Sequence, residues 1–370
     1  MTLSHTPSKQ LSRINNEPEA DGGWRPFHDM PIPAGATILR QQEIPSLTPT
    51  IESPSPVPAR DFLAYIDPLQ TIPPDPHGAV GLNHVVTASN DSILVHTKTG
   101  VVISRMSFAT FFDNTTISDP YMQYDPYLDR YWVSGISSET TNKVFIAVSR
   151  NGDPSGNWFR FSFTPASADG PILMDHPYLG FDNKLLVIGG RKFPGAASFT
   201  GTILFCFDKA NLAAGNAISF GTNAQTIEKS PTDGDAPCPV TAYGLSSIPA
   251  PAFYIVQNWS GGASSIRLSM ITGDIPNLSW NTGAAAYASG GSPWADDNLG
   301  NLASQVDESR KVAVNDARIS SAVMLNGKIW CAHHIGLPAG APDHTAVQWW
   351  QLSALGEVLQ RARIDDPTGK

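Results

Sequence analysis

Asp75-Pro-His-Gly-Ala-Val-Gly-Leu-Asn-His-Val-Val-Thr-Ala-Ser-Asn-Asp-Ser-Ile-Leu-Val-His-Thr-Lys-Thr-Gly-Val-Val-Ile-Ser-Arg-Met-Ser-Phe108 is the stretch that decides the fold. It reads as four short strands, Ala79–Asn83, His84–Ser89, Ile93–Lys98 and Val101–Phe108, broken by the turn pairs Asn90-Asp91 and Thr99-Gly100. Runs of this length, β-branched and bounded by Asn, Asp and Gly, are strand signals. The same opening returns along the chain: Asp119-Pro-Tyr, Asp175-His-Pro-Tyr, Asp235-Ala-Pro and Asp316-Ala-Arg follow Asp75-Pro-His. The spacing is roughly 45 to 80 residues, a recurrence typical of propellers and arrays.

The other repeats carry the same four-strand pattern. The second runs Met122–Asp125, Arg130–Ser137, Lys143–Arg150 and Trp158–Phe163. The third runs Leu179–Phe181, Lys184–Gly189, Thr202–Asp208 and Ile218–Phe220, and the fourth runs Val240–Tyr243, Ala252–Gln257, Ser265–Ile271 and Leu278–Trp280. The fifth runs Ser321–Leu325, Lys328–Ala332, Ala346–Leu352 and Glu357–Ile364. No helix of three turns is expected; Leu212-Ala-Ala-Gly is too short and ends on glycine. Four strands per unit, repeated, make propeller blades around a channel. The expectation is therefore an all-β protein, a β-propeller of five four-stranded blades, with six blades the competing count.

Composition sets the outer bounds. The chain has 370 residues, 41% of them apolar, and a formal net charge of −9, so it can bury a large core. An acidic balance with no basic run beyond Arg361-Ala-Arg363 argues against nucleic acid or an anionic membrane as partner. The first twenty residues are polar rather than a signal peptide, and no later stretch has 18 consecutive apolar residues. Cys206, Cys238 and Cys331 make an odd count and each falls in a strand, which reads as buried thiols in a reducing compartment. Together these features lead to the expectation of an intracellular, cytoplasmic protein. Residues 1–73 form an irregular Pro-rich arm, its first twenty or so residues disordered, and residues 74–366 form the single propeller domain.

In a propeller the first strand of each blade lines the axis, and the loop entering it shares a face with the loop leaving the second strand. The first set brings Asp75, His77, Asp119, Tyr121, Asp175, His176, Tyr178, Asp235, Asp316 and Arg318 to one mouth. The second adds Ser89, Ser137, Arg191, Lys192, Asn258, Trp259, His333 and His334. Ligand sites combine apolar walls with a few placed polar groups, and this rim holds both. The five Asp residues have a plainer role open to them, accepting backbone N–H bonds as turn caps. A metal is not expected. Neighbours His333 and His334 point to opposite faces of a strand, and the Asp ring draws on different blades. Paired carboxylates would suit glycoside cleavage, which needs two acids roughly 5 to 9.5 Å apart. No G-x-S-x-G elbow is present for an acyl-transfer triad. Trp349-Trp350 lies mid-strand in the last blade, one ring between blades and the other outward.

The opening stretch, with Ser118-Asp-Pro-Tyr-Met-Gln-Tyr-Asp125, Ala147-Val-Ser-Arg-Asn-Gly-Asp-Pro-Ser-Gly-Asn-Trp158, Asp175-His-Pro-Tyr-Leu-Gly180, Asn315-Asp-Ala-Arg318 and Asn326-Gly-Lys-Ile-Trp330, resembles a large bacterial family of secreted or surface β-propellers. That family implies the fold and little chemistry. The chain differs in its polar beginning and in stopping soon after the fifth repeat. As a short propeller with a Pro-rich arm it is similar to the small fungal hetero-Diels–Alderases of tropolone–sesquiterpene biosynthesis. That resemblance implies a cofactor-independent pericyclase joining a polyketide-derived quinone-methide heterodiene to an apolar terpene, giving a meroterpenoid. Tyr121, Tyr178 and Trp259 would form apolar walls, with Asn258, His176 and Asp316 also contacting substrate. Arg318, Arg191, Lys192, His333 or His77 would hydrogen-bond the heterodiene carbonyl. Two rival expectations are a non-catalytic propeller that binds a glycan or small ligand, and a glycosidase-like hydrolase.

Overall fold

The structure is a computed structural model. It describes residues 58, 60–66, 73–113, 117–137, 142–168, 170–195, 198–244, 252–258, 264–281, 286–288, 293–296, 299–305 and 308–365. The expected arm therefore lies outside the described residues except for residues 58, 60–66 and 73. Trp259 also falls outside them.

Five antiparallel blades form the ring. The first is His77–Val80, His84–Ala88, Ser92–Thr97 and Val102–Ser107, and the second is Ile117–Asp125, Arg130–Ser137, Val144–Ser149 and Trp158–Phe163. Gly170–Phe181, Leu185–Pro194, Gly201–Asp208 and Ala224–Lys229 make the third. The fourth has Asp235–Pro239, Phe253–Asn258, Ser265–Thr272 and Ser279–Asn281. The fifth has Ala322–Leu325, Lys328–Leu337, His344–Ser353 and Val358–Ile364. Five blades, not six, account for the repeats.

Two local readings change. The fourth strand of the third blade is Ala224–Lys229 rather than Ile218–Phe220, whose end makes only an isolated bridge from Phe220 to Ala224. No described helix reaches three turns; Lys209–Ala213 is a single short turn, capped by Asp208, whose side chain accepts from the Asn211 N–H. A hairpin of Asn301–Gln305 and Glu308–Ala313 was not foreseen, because its strands alternate weakly.

Apolar side chains of successive blades meet in four shared clusters among the described residues. Val86, Val95, Phe108, Met122 and Val133 join blades one and two, and Trp132, Ile146, Leu179, Ile188 and Phe205 join two and three. Val187, Cys206, Ile255 and Trp280 join three and four, while Val256, Leu268, Ile329 and Trp350 join four and five. Blades three and four approach so closely that a Cβ at Gly189 would strike the Pro237 carbonyl oxygen. Blades four and five are also stitched by main chain, since Thr241–Tyr243 continues the inner strand of one and pairs parallel with Val323–Leu325 of the other. Among the described residues no fifth apolar cluster joins blade five to blade one. No described helix is long and apolar enough to cross a membrane.

Inside the second seam sits an ion pair, with Lys209 Nζ 2.7 Å from Asp125 Oδ2 and both side chains buried. The ammonium also faces the rings of Tyr127 and Phe181 at 4.8 and 4.9 Å. Burial lowers the Lys209 pKa, and the Asp125 charge resists that shift. Removing one partner strands the other charge in the core. Asp125→Leu should therefore lower the unfolding free energy by about 3–5 kcal/mol in urea titration, and adding Lys209→Met should recover much of it.

Candidate functional site

The heads of the inner strands share one backbone device. Asp75, Asp119, His176 and Ala236 adopt φ of 43°, 52°, 48° and 45°, and each stands immediately before a proline. In the fifth blade Asn315 does the same with φ of 54°, before Asp316. Left-handed backbone costs a non-glycine residue roughly 1 kcal/mol or more, so five such residues at one rim mark a stored constraint. In blades two, three and four the device is a β-bulge, with the register shifting between Ser118 and Tyr121, Asp175 and Tyr178, and Asp235 and Cys238. A bulge re-aims the side chains beside it. Here it lifts the opening residues off the ladder and gathers them at the mouth.

The pairing of inner-strand heads with second-strand ends holds in register, Asp175 opposite Arg191 and Asp235 opposite Asn258. Arg318 is the hub. Its Nε lies 2.6 Å from Asp316 Oδ1 and its Nη2 bonds Asp316 Oδ2, a two-pronged clamp. Asp316 also accepts the Arg318 backbone N–H at 3.1 Å, so it is turn cap and arginine holder at once. Burial alone would raise the Asp316 carboxyl, but the Arg318 guanidinium wins and the group sits below its ordinary range. Arg318 in turn is held protonated in spite of burial by Tyr178, Asp316 and Asp175. Arg191 Nε bonds Asp235 Oδ1 at 3.1 Å, and its guanidinium stacks over Phe199 at 5.0 Å. Burial raises the Asp235 carboxyl in spite of Arg191.

Beside this charged ring stand four aromatic rings. The His77 and Tyr121 rings lie 4.1 Å apart, and Tyr121 meets Tyr178 edge-on at 6.4 Å. Tyr121 reaches across the axis, its hydroxyl donating to the Ser320 carbonyl at 2.8 Å. The Tyr178 hydroxyl is buried and has no hydrogen-bond partner among the described residues. An unsatisfied buried hydroxyl is costly and calls for an explanation. His176 stacks on Tyr178 at 6.1 Å; burial and then Arg318 lower its pKa, so it stays neutral.

The remaining expected residues do other work. Lys192 Nζ is bound to Glu228 Oε2 of the outer strand at 2.5 Å, which leads it along its blade. His333 is buried between Trp294 and Trp350, its Nδ1 2.7 Å from the Ala317 carbonyl and its Nε2 accepting from the Trp350 indole N–H at 3.3 Å. That corrects its place at the mouth: both ring nitrogens are consumed inside the fifth blade. His334 Nε2 contacts the Val314 carbonyl at 2.5 Å. Asn258 donates to the Ala317 carbonyl and accepts from the Ile319 N–H, tying blade four to blade five. His77 keeps Nδ1 as acceptor for the Met122 and Gly78 N–H groups, leaving Nε2 to carry the proton. Asp75 Oδ2 accepts from the Asn90 side-chain amide at 2.6 Å, and Asn90 in turn accepts the Asp119 backbone N–H. Sequence reading overlooked Asn90, a turn residue whose reach across two blades no local signal announces. Among the described residues, no three His, Cys, Asp or Glu side chains are arranged to hold a metal ion.

No family model matches the chain, and no curated protein matches it. Among solved structures it is similar to a thermostable family-43 glycoside hydrolase at 10% identity and TM-score 0.41, covering 79% of this chain and 94% of that chain. An α-L-arabinanase of Cellvibrio cellulosa complexed with arabinohexaose gives 10% identity and TM-score 0.36, over 78% of this chain and 94% of that one. A protein of unknown function from Bacteroides caccae gives 9% and 0.37, over 80% and 82%. No residue role carries over at this level of likeness.

Two outcomes follow from the site. Tyr121→Phe loses one cross-channel hydrogen bond and should cost about 1 kcal/mol in thermal or urea unfolding. Burial lowers the pKa values of His77 and His333 to about 4, below an ordinary 6.5, so the unfolded chain takes up their protons first. These histidines therefore favour the folded state above pH 6.5, and that contribution fades as pH falls toward 4. The urea midpoint of His333→Gln should fall less steeply over that window than the parent's; equal slopes would remove His333 from the account.

Proposed function

We propose that the channel mouth is the active site of a cofactor-independent enzyme of specialised metabolism. It binds a quinone-methide-type heterodiene beside an apolar terpene alkene and promotes their intermolecular hetero-Diels–Alder cycloaddition. The observation carrying this reading is the Tyr178 hydroxyl, buried without a partner among the described residues and in the field of the Arg318 guanidinium. Both groups are donors, and an acceptor oxygen bound between them would be polarised. In the cycloaddition the heterodiene oxygen and its terminal carbon each bond to one alkene carbon. No atom leaves, and electron density builds on the oxygen side as the bonds form. Preorganised donors at that oxygen lower the barrier, and holding both partners turns an encounter into an oriented step. Arg318 needs no reorganisation, since Asp316 fixes its plane from two sides. Where the heterodiene arises from a benzylic alcohol, the alcohol leaves as water by taking a proton while the ring hydroxyl gives one up. Asp235, its carboxyl raised by burial, suits the donor's part.

A second reading rests on the same carboxyls. Asp235 is pushed up and Asp316 held down, and two acids driven apart in this way are the mark of a general acid paired with an ionised partner. That arrangement would serve glycoside hydrolysis.

The readings separate in one set of assays. With a heterodiene and a terpene alkene, Arg318→Ala should abolish the enzymatic share of the cycloadduct. Tyr178→Phe should lower kcat by roughly 10²–10³, the usual effect of losing one oxyanion donor. Adduct formation at the uncatalysed rate, with sugar released from a chromogenic glycoside and lost in Asp235→Asn, would replace the first reading by the second.

A further inference from the structure

Residues 60–66 run along the first blade on the face turned away from blade two. On the strand Ser92–Thr97, Ile93 and Val95 pack toward blade two, so Ser92, Leu94 and His96 look the other way. Phe62 lies on that second face, its ring 5.6 Å from the His96 ring. It also fills the space over Gly100, where a Cβ would stand 2.6 Å from Phe62 Cγ and a φ of 88° already favours glycine. The turn Thr99-Gly100 is shaped to receive an aromatic ring. Tyr65 meets the other end of the same strand, its hydroxyl donating to Asp91 Oδ2 at 3.2 Å. Between them the two rings span the blade from its base to the mouth.

Asp91 belongs to a turn with a second set of duties. Ser89, Asn90, Asp91 and Ser92 are all buried, and Ser89 Oγ accepts the Asp91 and Ser92 N–H groups at 3.2 and 3.3 Å. Asp91 Oδ2 also accepts from Arg105 Nη2 at 3.2 Å. Asn90, one residue earlier, donates through Nδ2 to the Pro73 carbonyl at 2.9 Å and to Asp75 Oδ2 at 2.6 Å. Its Oδ1 accepts the Asp119 N–H at 2.8 Å, and its own N–H goes to the Pro74 carbonyl at 3.0 Å. Asp75 and Asp119 are both left-handed heads at the mouth. Two residues on from Asp75, His77 Nδ1 accepts the Met122 N–H at 3.2 Å. One buried turn thus has Tyr65 on one side and two strand heads on the other.

We infer that residues 62–65 are a clasp whose docking on Asp91 sets the Asn90 turn and, through it, the positions of Asp75, His77 and Asp119 at the mouth. Docked, Tyr65 and Arg105 hold the Asp91 carboxylate together and the turn is fixed. Released, Asp91 loses one of those holders, and Asn90 shifts with it because a rigid peptide unit joins them. The clasp is suited to release. Phe62 and Tyr65 are only half-buried, and their neighbours Leu63 and Ile66 are 72% and 65% exposed. Segments with few buried contacts open at the lowest free-energy cost. The clasp holds the mouth in shape whatever reaction occurs there.

Amide hydrogen exchange of the full-length protein, read by mass spectrometry, tests the clasp without a substrate. In Tyr65→Phe and in Phe62→Ala, peptides covering 117–122 should exchange roughly 10-fold faster than in the parent, while those covering 185–193 keep the parent's rate. Asn90→Ala should speed the same mouth peptides. Adding Tyr65→Phe to it should change them no further, since both act through one turn. Tyr65→Phe removes a single hydroxyl, so it carries the test if Phe62→Ala or Asn90→Ala fails to fold, as judged by circular dichroism. Faster exchange confined to 92–97, with 117–122 at the parent's rate, would overturn the clasp and leave a simple cover. An equal rise in every blade would also overturn it, because residues 62–65 would then serve the stability of the whole ring. So would additive effects of Tyr65→Phe and Asn90→Ala.

Discussion

The left-handed residue at the head of each inner strand is the constraint on which the ring and its mouth both depend. Five such turns occur, four of them before proline, and three coincide with a bulge. Proline withholds its N–H from the ladder and fixes its own φ, so the chain has few ways to enter the strand. The strand that follows can then pair normally and line the channel. What precedes it is turned inward, which is how Asp75, Asp175 and Asp316 come close enough to influence His176, and Asp316 to influence Asp235 and Arg318. Strain of this kind persists only where the surroundings over-determine it. The inter-blade clusters supply that rigidity.

Charge and packing divide the interior between them. At one place an ion pair, Lys209 with Asp125, is enclosed among Tyr127, Phe181 and Trp132 and has a structural role. At the mouth, Arg318 and Arg191 are each held by an aspartate but still face other groups, with Tyr178 left as a donor. The difference is access. The Lys209–Asp125 pair is sealed in the core, while the aspartates at the mouth keep part of their surface in reach of whatever enters.

The propeller was legible in the chain because its two periods are local. Alternation within Ile93–Lys98 or Lys143–Arg150 marks a strand, and the return of Asp-Pro or Asp-His-Pro marks a new blade. The site was legible only in part. Tyr121, Tyr178, His176, Asp316, Arg318 and Arg191 converge because strand heads must, and their positions follow from blade topology. His333 satisfied the same rule by position yet turns inward, since its two nitrogens found the Ala317 carbonyl and the Trp350 indole. Lys192 found Glu228, 36 residues away on an outer strand. Such choices between partners depend on which face a side chain takes after a bulge, and one residue of slip reverses it.

The sequence by itself determined an all-β chain, five units of four strands, and a rim rich in Asp, His, Arg and Tyr. These follow from alternation, turn residues and recurrence, each settled within a few residues along the chain. Tertiary structure decided which of the rim residues meet. It clamped Arg318 on Asp316, tied Tyr121 to Ser320 across the axis and left the Tyr178 hydroxyl unspent. It also set Trp330 against Trp349 on one face of the last blade, because the register that pairs Ala332 with Trp349 belongs to the whole sheet. No local pattern in a single strand encodes that register.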